Sequence, residues 1–389
     1  MQKKVAIPIW KNKKALPVLL QSMFVILIAA LGIFLITNAI EGLRQIGIKL
    51  GFDFFNSTAS FSIDDKLIAY TPRDSYGRAL LVGLLNTVKV GAIGIVISAV
   101  IGLFIGIGRL SDNWLIKKLT GGYVELIRNT PLLIQIFFLY FAVLLPLPRI
   151  EKNINIYNLF YFSNRGTAIP WFTAKPSFGV WLVFLAVGII LAIILWRVML
   201  KKQVESGKAR YPFIWSIGSI VLMLLAAYLL TSGLPVGISI PRIKGVLFEG
   251  GYVISSEFAA ILLGLIIYHS AFIAEIVRAG IMAVPKGQIE AAKALGLKKG
   301  TIMRLVILPQ ASRIIIPSAT SQFLNLFKNS TLAIAVGYTD LFSIGNTIIN
   351  QTGRAIEIMI LMALVYLIVS LAISLFMNYF NKHFQLVER

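Results

Sequence analysis

Hydrophobic positions in this chain fall in long unbroken runs rather than in the period-two alternation of a half-buried strand. Eight such runs stand out, at about Val18 to Ile40, Leu80 to Ile107, Leu132 to Leu147, Phe178 to Leu200, Pro212 to Leu230, Phe258 to Ala279, Leu305 to Phe327 and Ile356 to Phe380. Runs of about 20 residues match a hydrocarbon layer about 30 Å thick, where a backbone must satisfy its own hydrogen bonds, so each predicts a transmembrane helix. The alternation that a β-barrel needs is absent. The pattern therefore predicts an all-α integral membrane protein of about eight transmembrane helices. The first run follows Lys3, Lys4, Lys11, Lys13 and Lys14, yet it is longer than a signal-peptide core and ends in Asn38, Ala39, Ile40 and Glu41 rather than a cleavage site. It reads as a retained anchor helix.

The polar residues between runs set an orientation. An even number of spans puts both termini on one side, and alternate loops can be compared by their Lys and Arg content. The set made of the N-terminal tail, Arg109 to Arg128, Arg197 to Arg210, Arg278 to Arg304 and the C-terminal tail holds roughly 22 basic residues against roughly 12 in the other set. That set, with both termini, is predicted to be cytoplasmic. All 6 tryptophans, Trp10, Trp114, Trp171, Trp181, Trp196 and Trp215, fall near proposed span ends, as interfacial indoles should.

Composition adds exclusions. Of 389 residues, 58% are hydrophobic and 14% charged, whereas soluble proteins average roughly a quarter charged. The net charge of +21 is spread as punctuation between apolar runs, and a nucleic-acid binder would instead gather its cations on one soluble domain. With no cysteine, disulfides, thiolate metal sites and a cysteine nucleophile are excluded. The 2 histidines are far apart and the carboxylates are not clustered, so no catalytic constellation is present. No Gly-Lys-Ser/Thr phosphate loop occurs.

Inside the runs, two patterns are informative. In the second run Gly83, Thr87 and Gly91, then after a shift of three Gly94, Ser98, Gly102 and Gly106, form a nearly continuous small-residue face. Such a face admits a neighbouring helix at close range, unless it is only the ordinary glycine content of membrane helices. In the seventh, Ser318, Gln322, Asn325 and Asn329 share one helix face, which either lines a permeation path or bonds to neighbouring helices. Lys328, Asn329, Ser330 and Thr331 interrupt the apolar run and predict a helix break, whose backbone groups and dipole ends suit the ammonium and carboxylate of a zwitterion. Lys328 is a candidate partner for a carboxylate or a part of the outer gate. His269, near the middle of the sixth run, is either a hydrogen-bonded packing residue or a solute contact. Lys89, Arg278 and Arg313 lie close enough to an interface to snorkel, and Glu275 with Arg278, three apart, predicts a local ion pair rather than a proton relay.

The stretch Val284 to Pro309 reads VPKGQIEAAKALGLKKGTIMRLVILP. Pro285 and Gly287 break the preceding helix, Glu290 to Leu295 forms a short helix, Gly296 ends it, and a second short helix climbs back to Pro309. Glu290, Ala291, Ala292, Gly296, Leu308 and Pro309 resemble the signature of binding-protein-dependent ABC permeases, with Val306 where the pattern has Ile. The segments YHSAFIAEIVRAG from Tyr268, ELIRNTPLL from Glu125 and FLNLFKNSTLAIA from Phe323 are similar to permeases for polar amino acids. The resemblance covers about Gly83 to Phe141 and Tyr252 to Phe380. An added N-terminal span and an insertion from Leu147 to Gly250 with two further spans resemble the long permeases of general L-amino-acid systems.

The resemblance implies a five-helix type I importer core plus an N-terminal helix and a two-helix insertion. Its divisions are 1–78, 79–147, the insertion 148–251, and 252–389 with a cytoplasmic coupling loop at 284–309. It implies a bacterial inner-membrane permease subunit that is not itself catalytic and moves a broad range of polar L-amino acids. Its partners would be a dimer of ABC ATPase subunits, a second permease (a different chain favoured over an identical one), a periplasmic substrate-binding protein and the lipid bilayer, with no nucleic acid. ATP and Mg would sit on the ATPase, and this chain would bind no cofactor. Small Ala291 and Ala292 would allow close approach to the ATPase, Glu290 would pair with a basic or amide group, and Gly296 would permit the turn. The competing reading is an ion-coupled secondary transporter, which polar broken spans suit but which has no use for the lever at Glu290 to Pro309.

Overall fold

The computed structural model describes residues 15–45, 51–245 and 247–384; the basic N-terminal stretch with Trp10, and the end of the C-terminal tail, lie outside them. Among the described residues, 7 helices are long and apolar enough to cross a membrane, or up to 8 if one broken pair is counted as a span. They are α1 (Ala15–Gln45), α2 (Tyr76–Gly108), the pair α3 (Trp114–Arg128) and α4 (Leu132–Phe137), α5 (Phe178–Ser206), α6 (Pro212–Thr231), α7 (Ser256–Met282), α10 (Leu308–Asn329) and α12 (Ala355–Phe384). Two short helices, α8 (Lys286–Ala294) and α9 (Lys299–Ile302), join α7 to α10, and α11 (Leu341–Thr352) precedes α12.

The third span departs from the sequence expectation. The stretch after Arg109, expected as a loop, holds the 15-residue α3, in which Lys117, Lys118, Glu125 and Arg128 alternate with Leu115, Leu119 and the buried Val124. That amphipathic mixture is a surface helix, not a loop. Pro131 then starts α4, and six α-helical residues pass into a seven-residue π-helical stretch, Phe138–Leu144. Together these rise about 20 Å, short of a full hydrocarbon layer. Gln135 repairs the break: its Nε2 donates to the carbonyls of Ile127 and Thr130, both at 2.9 Å.

The chain divides into two units, residues 1–124 with 269–389, and residues 125–268. In the first, the small-residue face of α2 is the packing surface. Gly83, Thr87, Gly91, Gly94, Ser98, Gly102 and Gly106 are all buried. A Cβ added at Gly102 would meet Ile273 Cβ at 2.7 Å and the Ser270 carbonyl at 2.9 Å on α7. At Gly91 it would meet the Phe327 ring of α10 at 2.7 Å. The face therefore exists because neighbouring elements touch the α2 backbone, where any larger side chain would stand. The segment from Gly51, with a short 3-10 helix at Asp53–Asn56, is part of this unit's core: Phe54, Ala59, Ile63 and Tyr70 are buried with Leu341, Ile344, Ile348 and Ile358. Glu357 accepts from the Gly51 amide at 3.0 Å, fixing that segment to the first turn of α12.

In the second unit, α5 and α6 form a hairpin. Ser216 Oγ donates to the Ala192 carbonyl at 3.0 Å and Gly188 lies 3.3 Å, measured from an added Cβ, from Ile220 Cα. Short strands that the hydropathy pattern does not reveal surround its ends: β1 (Ile154–Ile156), β2 (Phe160–Ser163), β3 (Gly166–Ile169) and β8 (Tyr252–Ile254) form an antiparallel sheet in that order. Two further antiparallel ribbons pair β4 (Trp171–Ala174) with β5 (Val236–Ser239), and β6 (Arg242–Lys244) with β7 (Leu247–Glu249).

Candidate functional site

The signature stretch forms an elbow. After Pro285, α8 runs to Ala294, and Gly296 turns the chain at φ +73°. The Gly296 amide bonds the Lys293 carbonyl at 2.9 Å and the Leu297 amide bonds the Ala292 carbonyl at 3.2 Å, the paired closure of a Schellman cap. Nothing lies within 4 Å of a Cβ added at Gly296. The demand for glycine is therefore conformational rather than steric. A five-residue π-helical stretch, Met303–Ile307, carries the chain without a break into α10, with Pro309 in its first turn.

The signature residues divide between two faces. Ala292 is buried with Val284, Ile302 and Ile307, and Ile289 and Leu297 pack against that cluster. Glu290, Ala291 and Gly296 are exposed, and Leu295 beside them is 79% exposed. Ala292 therefore faces inward, and its small side chain lets α8 close on its own span ends. Leu308 is exposed and Pro309 half-buried at the start of α10.

Near the elbow Glu275 of α7 forms the expected ion pair with Arg278, whose Nε lies 3.2 Å from Oε1, and it also binds Arg109 at the end of α2. All three side chains are half-buried. One carboxylate thus ties α7 to α2 with two guanidinium groups around it, each a charge-assisted contact. Lys299 of α9 meets Asp112 at 3.2 Å on the open surface.

The polar face of α10 contains two environments. Gln322 and Asn329 are half-buried around His269 of α7: Asn329 Nδ2 lies 3.3 Å from His269 Nε2, and the Gln322 side chain also reaches the ring. His269 itself is buried. Ser318, Asn325 and Lys328 are exposed. At Asn329 the α-helix ends and continues as a 3-10 helix, Ser330–Val336, closing at Gly337. Lys89 and Arg313 are half-buried in α2 and α10.

Further polar side chains hold the same unit together. Tyr123 OH lies 2.7 Å from Ser270 Oγ. Asn86 Nδ2 donates to the Thr339 carbonyl at 2.8 Å, and Thr87 Oγ1 accepts from the Leu341 amide at 2.9 Å. Asp340 is fully buried, caps α11 through the Ser343 amide at 2.8 Å and has Tyr366 within reach. An Asp just before an apolar helical stretch is a start signal, and it could have revealed α11.

Residues 98–385 match the model of the family described as binding-protein-dependent transport system inner membrane component. The chain belongs to that family. This inner membrane component is 44% identical to the putative amino-acid ABC transporter permease protein YhdX of Escherichia coli (strain K12) over 95% of this chain and 94% of that one. It is 44% identical to the general L-amino acid transport system permease protein AapQ of Rhizobium johnstonii over 90% of this chain and 88% of that one. With the glutamate/glutamine/aspartate/asparagine transport system permease protein BztB of Rhodobacter capsulatus the identity is 38%, covering 95% of this chain and 94% of that one. The similarity runs over nearly the whole length of these chains, and membership of a binding-protein-dependent family leaves the ion-coupled reading without support.

Proposed function

We propose that this inner membrane component is the permease subunit of an ATP-driven importer for amino acids, with the α8–α9 elbow as its cytoplasmic dock for an ATPase. The observation that carries this reading is the two-faced elbow. Its inner face, through Ala292, Ile289 and Leu297, is packed on the ends of α7 and α10, while Glu290, Ala291, Leu295 and Gly296 are presented outward. A short helix held rigidly to two spans and open on its other side can transmit a push from a partner. The amino-acid class rests on the similarity to YhdX, AapQ and BztB. The nucleotide and Mg are held by the ATPase dimer, both termini are cytoplasmic, and the solute arrives from a periplasmic binding protein.

In this reading the solute contacts Gln322 and Asn325, with Ser318, Lys328, Asn329 and His269 completing the polar path. An amino acid leaving water needs fixed polar partners, because an unpaired charge in an apolar setting costs several kcal/mol. The exposure of Ser318, Asn325 and Lys328 in this single chain supports a pathway completed by a second permease, which the heterologous arrangement would supply as a different chain. Lys328 shapes the outer gate, since a permanent pair with the substrate carboxylate would hinder release.

Substrate-stimulated ATP hydrolysis in the assembled complex tests the elbow. Gly296→Val and Glu290→Lys should insert and assemble yet lose most stimulated hydrolysis and uptake; normal rates in both would remove the elbow from coupling. For the path, Gln322→Ala and Asn325→Ala should change the order in which amino acids compete for uptake. An unchanged competition profile in complexes that assemble normally would assign that face to helix packing alone.

A further inference from the structure

The β4–β5 ribbon has two unlike sides. Its register places Phe172 opposite Ile238 and Ala174 opposite Val236, with Trp171 opposite Ser239 and Thr173 opposite Gly237. Side chains alternate across a strand, so Phe172, Ala174, Val236 and Ile238 share one face. The other face is partly covered: the Trp171 ring packs against Tyr252 of β8 with ring centroids 4.9 Å apart and planes tilted by 32°, and the Lys175 stem lies over Gly237. On the open face Phe172 is 66% and Ile238 69% exposed.

Little slack separates this ribbon from the helices. The Lys175 amide bonds the Pro235 carbonyl at 2.9 Å, closing the base of the ribbon, and the Phe178 amide bonds the Lys175 carbonyl at 2.9 Å as α5 begins. Trp181 Nε1 donates to Thr231 Oγ1 at 3.0 Å, pinning the ends of α5 and α6 at the same level. The length of α6, 20 residues, corresponds to about 30 Å, the thickness of the hydrocarbon layer. Its end at Thr231 therefore sits at the boundary, and a four-residue strand reaching about 13 Å beyond it stays within or just outside the headgroup layer. From Leu229 to Ile240 the sequence carries no charge, and Leu230, Leu234 and Ile238 along it are exposed. The apolar strip of α6 thus resumes on the ribbon through Leu234 and Ile238, across the short uncharged turn at residues 231–233.

We propose that the β4–β5 ribbon is a lipid-interface anchor, lying with Phe172 and Ile238 at the headgroup–acyl boundary of the leaflet opposite the turn that joins α5 to α6. The occupant is the bilayer because the exposed face continues the lipid-facing flank of the hairpin and lacks any charge for a polar partner. Trp181 lies at the hairpin end beside Thr231, where indoles favour the interface, and Lys175, between the ribbon and α5, is placed for lipid phosphates.

The chain has no cysteine, so single cysteines report position cleanly. Phe172→Cys, Ile238→Cys, Thr173→Cys and Tyr157→Cys are labelled with an environment-sensitive fluorophore in the full complex in phosphatidylcholine/phosphatidylglycerol vesicles. Labels at 172 and 238 should be quenched about twofold more than that at 173 by lipids carrying a nitroxide near the carbonyl region, and should resist aqueous iodide. The label at 157, on a residue 90% exposed, sets the fully aqueous reference. Iodide quenching at 172 and 238 equal to that at 157 overturns the proposal. So does protection that is absent in lipid and appears only when a binding protein is added, which would make the ribbon a protein-docking surface. If Phe172→Cys fails to assemble, Ile238→Cys decides alone, since the two residues are directly paired.

Discussion

The most apolar window of α7 has a mean hydropathy of 2.1 and is 61% buried within the chain; that of α5 has 3.0 and is 11% buried. In water the order would be reversed. In a bilayer the lipid tails are as apolar as leucine, so hydrophobicity no longer drives helices together, and close packing with interhelical hydrogen bonds does. α7 carries Ser270, Ala271 and Ala274, and its neighbour α2 presents glycine, whereas α5 and α6 present Leu182, Val183, Leu222 and Leu229 outward. Small and polar residues mark the packed helices, and large aliphatic ones mark the lipid-facing hairpin.

Glycine substitutions break this comparison most sharply. Gly102→Val places atoms where Ile273 and the Ser270 carbonyl already stand, and a loss of about 1–3 kcal/mol or more is expected. Gly218→Ala in α6 has nothing within 4 Å and should stay within about 0.5 kcal/mol. Thermal unfolding of the purified complex in detergent measures both; equal shifts would contradict the division between packed and lipid-facing helices.

Ion pairs give the next contrast. Glu275→Ala leaves half-buried Arg109 and Arg278 without their shared carboxylate, an expected cost of about 1–3 kcal/mol. In the insertion, Lys244 and Glu249 meet at 3.2 Å but are mostly exposed, so Glu249→Ala should cost at most about 0.5 kcal/mol. A double-mutant cycle on Arg109 and Glu275 sharpens the point, with a coupling near zero arguing that the pair does not join α2 to α7. The smallest effect is expected for Lys299→Ala: its contact with Asp112 is almost wholly exposed and should leave stability unchanged within about 0.5 kcal/mol.

The spans were legible because a lipid-spanning helix is written in composition alone. The small-residue face of α2 was legible too, since Gly94, Ser98, Gly102 and Gly106 repeat at the helical spacing. The elbow could be placed at Gly296, but the inward direction of Ala292 could not, because Ala291 and Ala292 are chemically identical and only packing against Ile302 and Ile307 separates them. Strands of three or four residues such as β4 and β5 are too short to show a period, and their pairing across the α5–α6 hairpin is a tertiary fact. The same holds for the segment from Gly51 to Ser75, whose Ala59 and Tyr70 are buried by contacts with distant helices. On α10 the polar stripe was readable, while its division into a His269-bound part and an exposed part depends on where α7 lies.

The fastening of α2 has a mechanical consequence. This helix of 33 residues, about 50 Å long, is held about a third of the way along by Asn86 and Thr87 to the chain around Thr339 and Leu341, and at its far end by Arg109 to Glu275. Between those fastenings its face offers almost nothing that protrudes, so neighbours touching it meet dispersion contacts rather than interlocking knobs. It resembles a beam clamped at two points and polished between them. Such a beam resists being drawn along its axis but yields to bending, so a load applied through α7 at Glu275 would bow its middle before it shifted the clamp at Thr87.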